Sequence, residues 1–283
     1  MALRIHWYPG HMSKAKRIIK ENIRLVDLVI ELRDARIPKS SANPDFELLS
    51  RNKERMILLN KKDLADPVKT REWIEHFREQ GIRGQAINCL KSADIRELKR
   101  TIIQMAEEKH NDIKEKKGIR KTIRIMVVGI PNVGKSTLFN GLAGGAKART
   151  EDRPGVTRGK QWVKIHPFID LLDTPGLLWP KADDQSAMRN LAFIGSIRDD
   201  IIDLVELAGT FLDVVMDLYP QPLVTRYKLE NTEGLKGYHL LEAICKNQGW
   251  IRSGGTPDLE RGAKQLLSDF RSGKLGCITL ETP

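Results

Sequence analysis

A short β-branched run from Ile123 to Gly129, IRIMVVG, opens straight into GIPNVGKS, Gly129 to Ser136, and a helix is expected to begin near Lys135. This strand, loop and helix order gives the pattern GxxxxGK[ST] its meaning. Glycines let backbone N–H groups wrap phosphates, Lys135 reaches the β and γ phosphates, and the Ser136 hydroxyl ligates Mg²⁺. Val133, Gly134 and Thr137 belong to the same cradle. A chain built around such a loop is expected to fold as an α/β sheet with its ligand edge at the carboxyl ends of the strands.

The base is read from a second motif. Asn60 to Asp63, NKKD with Lys61 and Lys62 between, follows the apolar run RMILLN and so falls on the same edge. The Asp63 carboxylate can accept two hydrogen bonds from the N1–H and N2 amine of guanine, an arrangement adenine cannot supply. Downstream, DTPG follows FIDLL, placing Asp173 to hold a Mg²⁺ water and Gly176 to offer an N–H to the γ-phosphate. Thr157, in RPGVT, is the hydroxyl expected on Mg²⁺ from the segment between them. GTP and GDP are the expected ligands.

The rest of residues 1–178 alternates strands with helices. Ser13 is expected to cap a helix through Lys20, Ile23 and Arg24, and Leu25 to Leu32 to form a strand. Pro67 and Thr70 open a helix through Trp73 and Phe77, GQAINC reads as a buried strand ending at Cys89, and Ile95 to Glu107 reads as a helix. WVKIHPFIDLLD reads as two paired strands around His166 and Pro167. Such alternation implies a mostly parallel sheet with helices on both faces. Past Pro180 only helical periodicity is strong: Ile201 to Val215, Leu240 to Cys245 and Ala263 to Phe270, with a weak strand, CITLE, near the end. A small all-helical domain is therefore expected over 179–283.

Charge is unevenly spread. The 283 residues carry a net +11, but residues 1–178 hold 36 Lys and Arg against 22 Asp and Glu, whereas residues 179–283 hold 12 against 15. Lys14 to Arg24 and Lys109 to Arg124 concentrate the excess, which favours a polyanion, RNA before a membrane surface and with no DNA expected. The helical part offers fewer cations: Arg252, Arg261, Lys264, Arg271 and Lys274. No apolar run reaches the roughly 18 residues of a membrane span, and the N-terminus lacks the apolar core of a secretory signal. Three cysteines without metal-ligand spacing fit a reducing cytoplasm.

The motif order is unusual, because NKKD precedes the phosphate loop. With WYPGHM at Trp7, DARIP at Asp34, GIPNVGKS and LLDTPGLLWPK, the chain resembles the circularly permuted Ras-like GTPases of the ribosome biogenesis GTPase A (YlqF) type. The resemblance runs over nearly the whole length and is sharper before Lys181. It implies a GTPase that docks on the immature large (50S) ribosomal subunit and its rRNA in the GTP state and leaves after hydrolysis, acting as a monomer. It places INC, Ile87 to Cys89, beside the base; family members tend to read Ser-Ala there, so Asn88 and Cys89 are expected to meet guanine O6 through backbone. Leu177 stands where Ras-like enzymes carry a water-orienting Gln, and the resemblance gives that role to His11. A group supplied by the ribosome is the alternative. It also implies K⁺ activation, with the Asn132 side-chain oxygen on the cation. A different class stays open: a GTP-dependent RNA-binding or signalling module with negligible turnover.

Overall fold

The computed structural model describes residues 5, 17, 20–43, 46, 49, 50, 52–119, 121–144, 162–172, 184–230, 232 and 234–283. Six strands form one sheet: β1 (Leu28–Asp34), β2 (Glu54–Asn60), β3 (Arg83–Ala86), β4 (Ile123–Gly129), β5 (Trp162–His166) and β6 (Ile169–Leu172), in spatial order β3-β2-β1-β4-β6-β5. All pairings are parallel except the β5–β6 hairpin. Alternate side chains of each central strand reach opposite faces. Leu28, Ile30, Met56, Leu58, Ile125 and Val127 join one apolar cluster, while Val29 and Met126, and Ile57 and Leu59, join two others. α2 (Ser92–Lys117) and α3 (Lys135–Ala143) cover the first face. α1 (Pro67–Glu79), through Trp73 and Phe77, and a helical turn ending at Ile23 cover the second.

Beyond β6 every described element is helical: α4 (Gln185–Phe193), a 3₁₀ turn (Asp199–Ile201), α5 (Leu204–Leu218), α6 (Pro220–Tyr227), α7 (Gly237–Asn247) and α8 (Leu259–Arg271). Apolar side chains of these helices continue the cluster that lies on the α2 and α3 face of the sheet. No helix among the described residues is long and apolar enough to cross a membrane.

Several boundaries differ from expectation. β1 starts at Leu28, because Leu25 closes a turn onto the preceding helix through its amide to Asn22 O at 2.9 Å. β3 is a half-exposed edge strand ending at Ala86, and Ile87 to Cys89 leave the sheet for the site described below. α2 runs ten residues past Glu107, since its Lys- and Glu-rich end contains no breaker until Gly118, whose φ of +68° ends it. Much of the basic segment is thus helix. Ile201 lies half-exposed in the 3₁₀ turn, and α5 begins only after Asp203, whose carboxylate accepts from the amides of Val205 and Glu206.

CITLE forms no strand. The segment instead returns to the sheet half of the molecule as a strap: Ile278 N donates to Leu64 O (3.0 Å), Leu280 N to Arg36 O (2.8 Å), and Asp66 N donates to Thr279 Oγ1 (3.0 Å). The Glu281 carboxylate takes the amide of Lys39 and the Asn190 side chain, and its backbone carbonyl takes the Trp73 indole N–H.

Candidate functional site

Parallel register brings three loops to one edge. Asp34 stands opposite Asn60, Leu32 opposite Gly129, and Leu59 opposite Ala86, so the chain leaves β2, β3 and β4 at the same edge of the sheet. Gly129 is required where it stands: a Cβ there would lie 2.5 Å from Leu32 O.

Asn60 joins the loops. Its Nδ2 donates to Val133 O in the phosphate loop (2.7 Å), and its Oδ1 accepts from Cys89 N in the base-side loop (3.0 Å). The residue is buried, so its amide is committed to holding the two loops in register. Gly134, at φ +104°, leaves room for it; a Cβ there would sit 2.5 Å from Asn60 Nδ2. Lys61 and Asn132 both adopt left-handed backbone, at φ +61° and +60°, which for non-glycine residues marks functional loops.

Each remaining residue of the base side has a partner or an outlook. Lys61 Nζ pairs with the buried Asp34 carboxylate at 2.9 Å, which Arg36 also engages at 2.8 Å. Lys62 Nζ pairs with Asp94 at 2.7 Å, and Asp94 in turn accepts from Asn88 N. Asn88 Oδ1 accepts from Leu90 N, so this side chain shapes its own loop. Burial, together with the nearby Asp94 carboxylate, pushes the Cys89 thiol up to about 12, leaving a neutral side chain. Asp63 is exposed at the lip. Its carbonyl faces Cys277 Sγ of the strap at 3.4 Å.

On the phosphate side, Lys135 and Ser136 open α3 directly after Gly134. The Ser136 side chain is exposed and Thr137 half-buried beside it. A hard hydroxyl oxygen at a helix start, next to backbone N–H groups, fits a Mg²⁺ ion shared with phosphates. Lys135 Nζ donates to Ile130 O at 2.6 Å, and burial pushes its ammonium down to about 8. A neutral amine cannot pair with phosphate. GTP affinity is therefore expected to be level below about pH 8 and to fall by up to about tenfold per pH unit above it, measured as Kd across a pH series. A level profile to well above that value would overturn the assignment of Lys135 to the phosphates.

Sequence reasoning missed the contacts from the helical half. Asn132 Nδ2 donates to Gly195 O at 2.8 Å and Ser196 Oγ to Pro131 O at 3.0 Å. No pattern announced them, because one partner in each is a backbone carbonyl more than sixty residues away. Arg271, expected as an RNA-facing cation, turns inward and binds Asp199 bidentately at 2.7 and 2.8 Å. Arg252 pairs with Asp258 and Glu260, and Lys274 with Asp269. His11, Thr157, Asp173, Gly176, Leu177 and the division at Trp179 lie outside the described residues.

Comparison with known proteins decides the family. Ribosome biogenesis GTPase A of Bacillus pumilus is 42% identical over 279 residues, covering 99% of this chain and 99% of that protein. The chain belongs to the ribosome biogenesis GTPase A family. The Bacillus cereus member is 44% identical over 99% of this chain and 94% of its own length. Mitochondrial ribosome-associated GTPase 1 of Mus musculus is 31% identical over 97% and 89%. A family described as 50S ribosome-binding GTPase matches residues 124–225. The GDP-bound structure of YlqF superposes with a TM-score of 0.66 at 27% identity, covering 94% of this chain and 99% of that one; GNP-bound YlqF from T. maritima gives 0.64 over 95% and 98%. As a member of the ribosome biogenesis GTPase A family, the chain is a circularly permuted, GTP-hydrolysing enzyme of ribosome biogenesis, and GTPases of this kind generally use Mg²⁺.

Proposed function

We propose that this GTPase serves maturation of the large (50S) ribosomal subunit, binding the pre-subunit in its GTP state, being stimulated there, and leaving after hydrolysis. The observation that carries the reading is the Asn60 bridge between Val133 and Cys89, which makes base recognition and phosphate grip one rigid unit able to report nucleotide state. The family description, 50S ribosome-binding, supports the choice of subunit.

Residues 1–178 form the nucleotide-binding unit in this reading and 179–283 the helical one. Asp63 takes guanine, with Lys61 and Lys62 flanking; Asn88 and Cys89 meet the base through backbone. Val133 to Thr137 hold the phosphates, Ser136 and Thr157 ligate Mg²⁺, Asp173 holds its water, and Gly176 meets the γ-phosphate. His11 orients the attacking water. Asn132 Nδ2 already donates to Gly195 O, which supports assigning its Oδ1 to a K⁺ ion. Exposed Lys20, Arg24, Lys114 and Lys116 supply the rRNA contact, and the enzyme acts as a cytoplasmic monomer.

The test is co-sedimentation with large subunits from cells depleted of the protein, paired with phosphate release. Pelleting is expected with a non-hydrolysable GTP analogue and not with GDP, to weaken steeply with salt, and to accompany faster phosphate release. Equal pelleting in both nucleotides without stimulation would reject the cycle in favour of a module that acts by occupancy alone.

A further inference from the structure

The phosphate loop is braced from the helical half, and Arg271 stands behind the brace. Arg271 on α8 donates Nε to Phe193 O at 2.9 Å and Nη2 to Ala192 O at 2.8 Å, both in the last turn of α4, while the Asp199 carboxylate fixes its far side. Two residues past Phe193, after the Ile194 cap, stands Gly195 at φ +75°, and a Cβ there would lie 3.2 Å from Arg271 Nε. The guanidinium therefore lies against the Gly195 backbone and sets where it stands.

From that point two consecutive residues reach two consecutive residues of the phosphate loop. Gly195 O accepts from Asn132 Nδ2, and Ser196 Oγ donates to Pro131 O. Asn132 is exposed, so the orientation of its side chain depends on what grips its amide. Packing alone does not explain the cation. Phe193, Phe211 and Phe270 already join α4, α5 and α8 through ring contacts at 5.2 and 4.7 Å.

We propose that Arg271 is a positioning residue for GTP hydrolysis: acting through Gly195, it orients the Asn132 amide in the phosphate loop. The proposal rests on the reading that the Asn132 side-chain oxygen holds the activating K⁺ ion. It gives the helical half a direct hold on the reaction rate, through a contact distinct from GTP binding itself.

The experiment is a double-mutant cycle read by single-turnover GTP hydrolysis and by GTP Kd, using Arg271→Gln, Asn132→Ala and the pair, with Arg271→Lys for rescue. Arg271→Gln is expected to slow hydrolysis roughly tenfold, the scale on which small misplacements act, with Kd changed less than about twofold. In the Asn132→Ala background the same change should cost nothing further, because the two act in series. Arg271→Lys should recover part of the rate. Multiplying losses in the pair, or a loss confined to Kd, would overturn the proposal, as would full activity of Arg271→Gln when Asn132→Ala is slow. Full activity of Asn132→Ala alone would overturn the reading of Asn132 and the proposal with it. If Arg271→Gln does not fold, Asp199→Asn, a half-exposed site whose change removes the ion pair behind the guanidinium and leaves its bonds to Ala192 and Phe193, takes its place in the cycle, with a smaller loss expected and the same outcomes deciding.

Discussion

Asp63→Asn is expected to lower GTP affinity at least tenfold and to raise affinity for xanthosine nucleotides. The carboxylate is an acceptor for two guanine donors, and each charge-assisted hydrogen bond contributes about 1.5–3 kcal/mol, where 1.4 kcal/mol is a factor of ten. The amide replaces one acceptor by a donor, which suits the C2 carbonyl of xanthine. The loop itself should survive the change, since Lys62 N donates to Ile87 O and Leu64 O accepts from Ile278 N without involving the Asp63 side chain. Competitive titration of the two nucleotides measures both affinities. Unchanged GTP affinity would mean that the base lies elsewhere.

Asp34→Ala is expected to destabilise the protein by about 3–5 kcal/mol, because it strands a buried cation. Asp34 is fully buried, Arg36 is 1% exposed, and Asp34 Oδ1 also accepts from Arg36 N and Nε. Burial alone would raise this carboxyl's pKa, but Arg36 and then Lys61 overcome it and hold the group well below the usual carboxylate range. The sign follows. A depressed folded-state pKa contributes stability that is fully present above the unfolded value of about 4 and is lost progressively as pH falls below it. Urea unfolding of wild type and variant at neutral and acid pH measures both effects. A loss under about 1 kcal/mol at neutral pH would show that Arg36 finds another partner.

Much of this was legible in the residues. GIPNVGKS and NKKD have chemistry that depends on local spacing, and the central strands β1, β2 and β4 are apolar runs whose burial needs no partner identity. What escaped was non-local. Nothing in NKKD says that the Asn60 amide joins Val133 to Cys89. CITLE reads as a weak strand; Ile278 and Thr279 are indeed buried, but the backbone partners are Leu64 for Ile278 and Arg36 for Leu280, more than two hundred residues earlier. Arg271 read as a free cation because sequence cannot show Asp199 beside it. DARIP carries no chemistry of its own in the sequence; the fold shows Asp34 as the anchor of Lys61.

β1 has no base or phosphate motif of its own, yet it lies between the strand that ends in NKKD and the strand that ends in the phosphate loop. It acts as a ruler. Two strand spacings of about 4.8 Å separate base recognition from phosphate grip, a length fixed by backbone hydrogen bonding and indifferent to side-chain identity. Rerouting the connections between strands, as permutation does, therefore cannot stretch or shorten the nucleotide's berth.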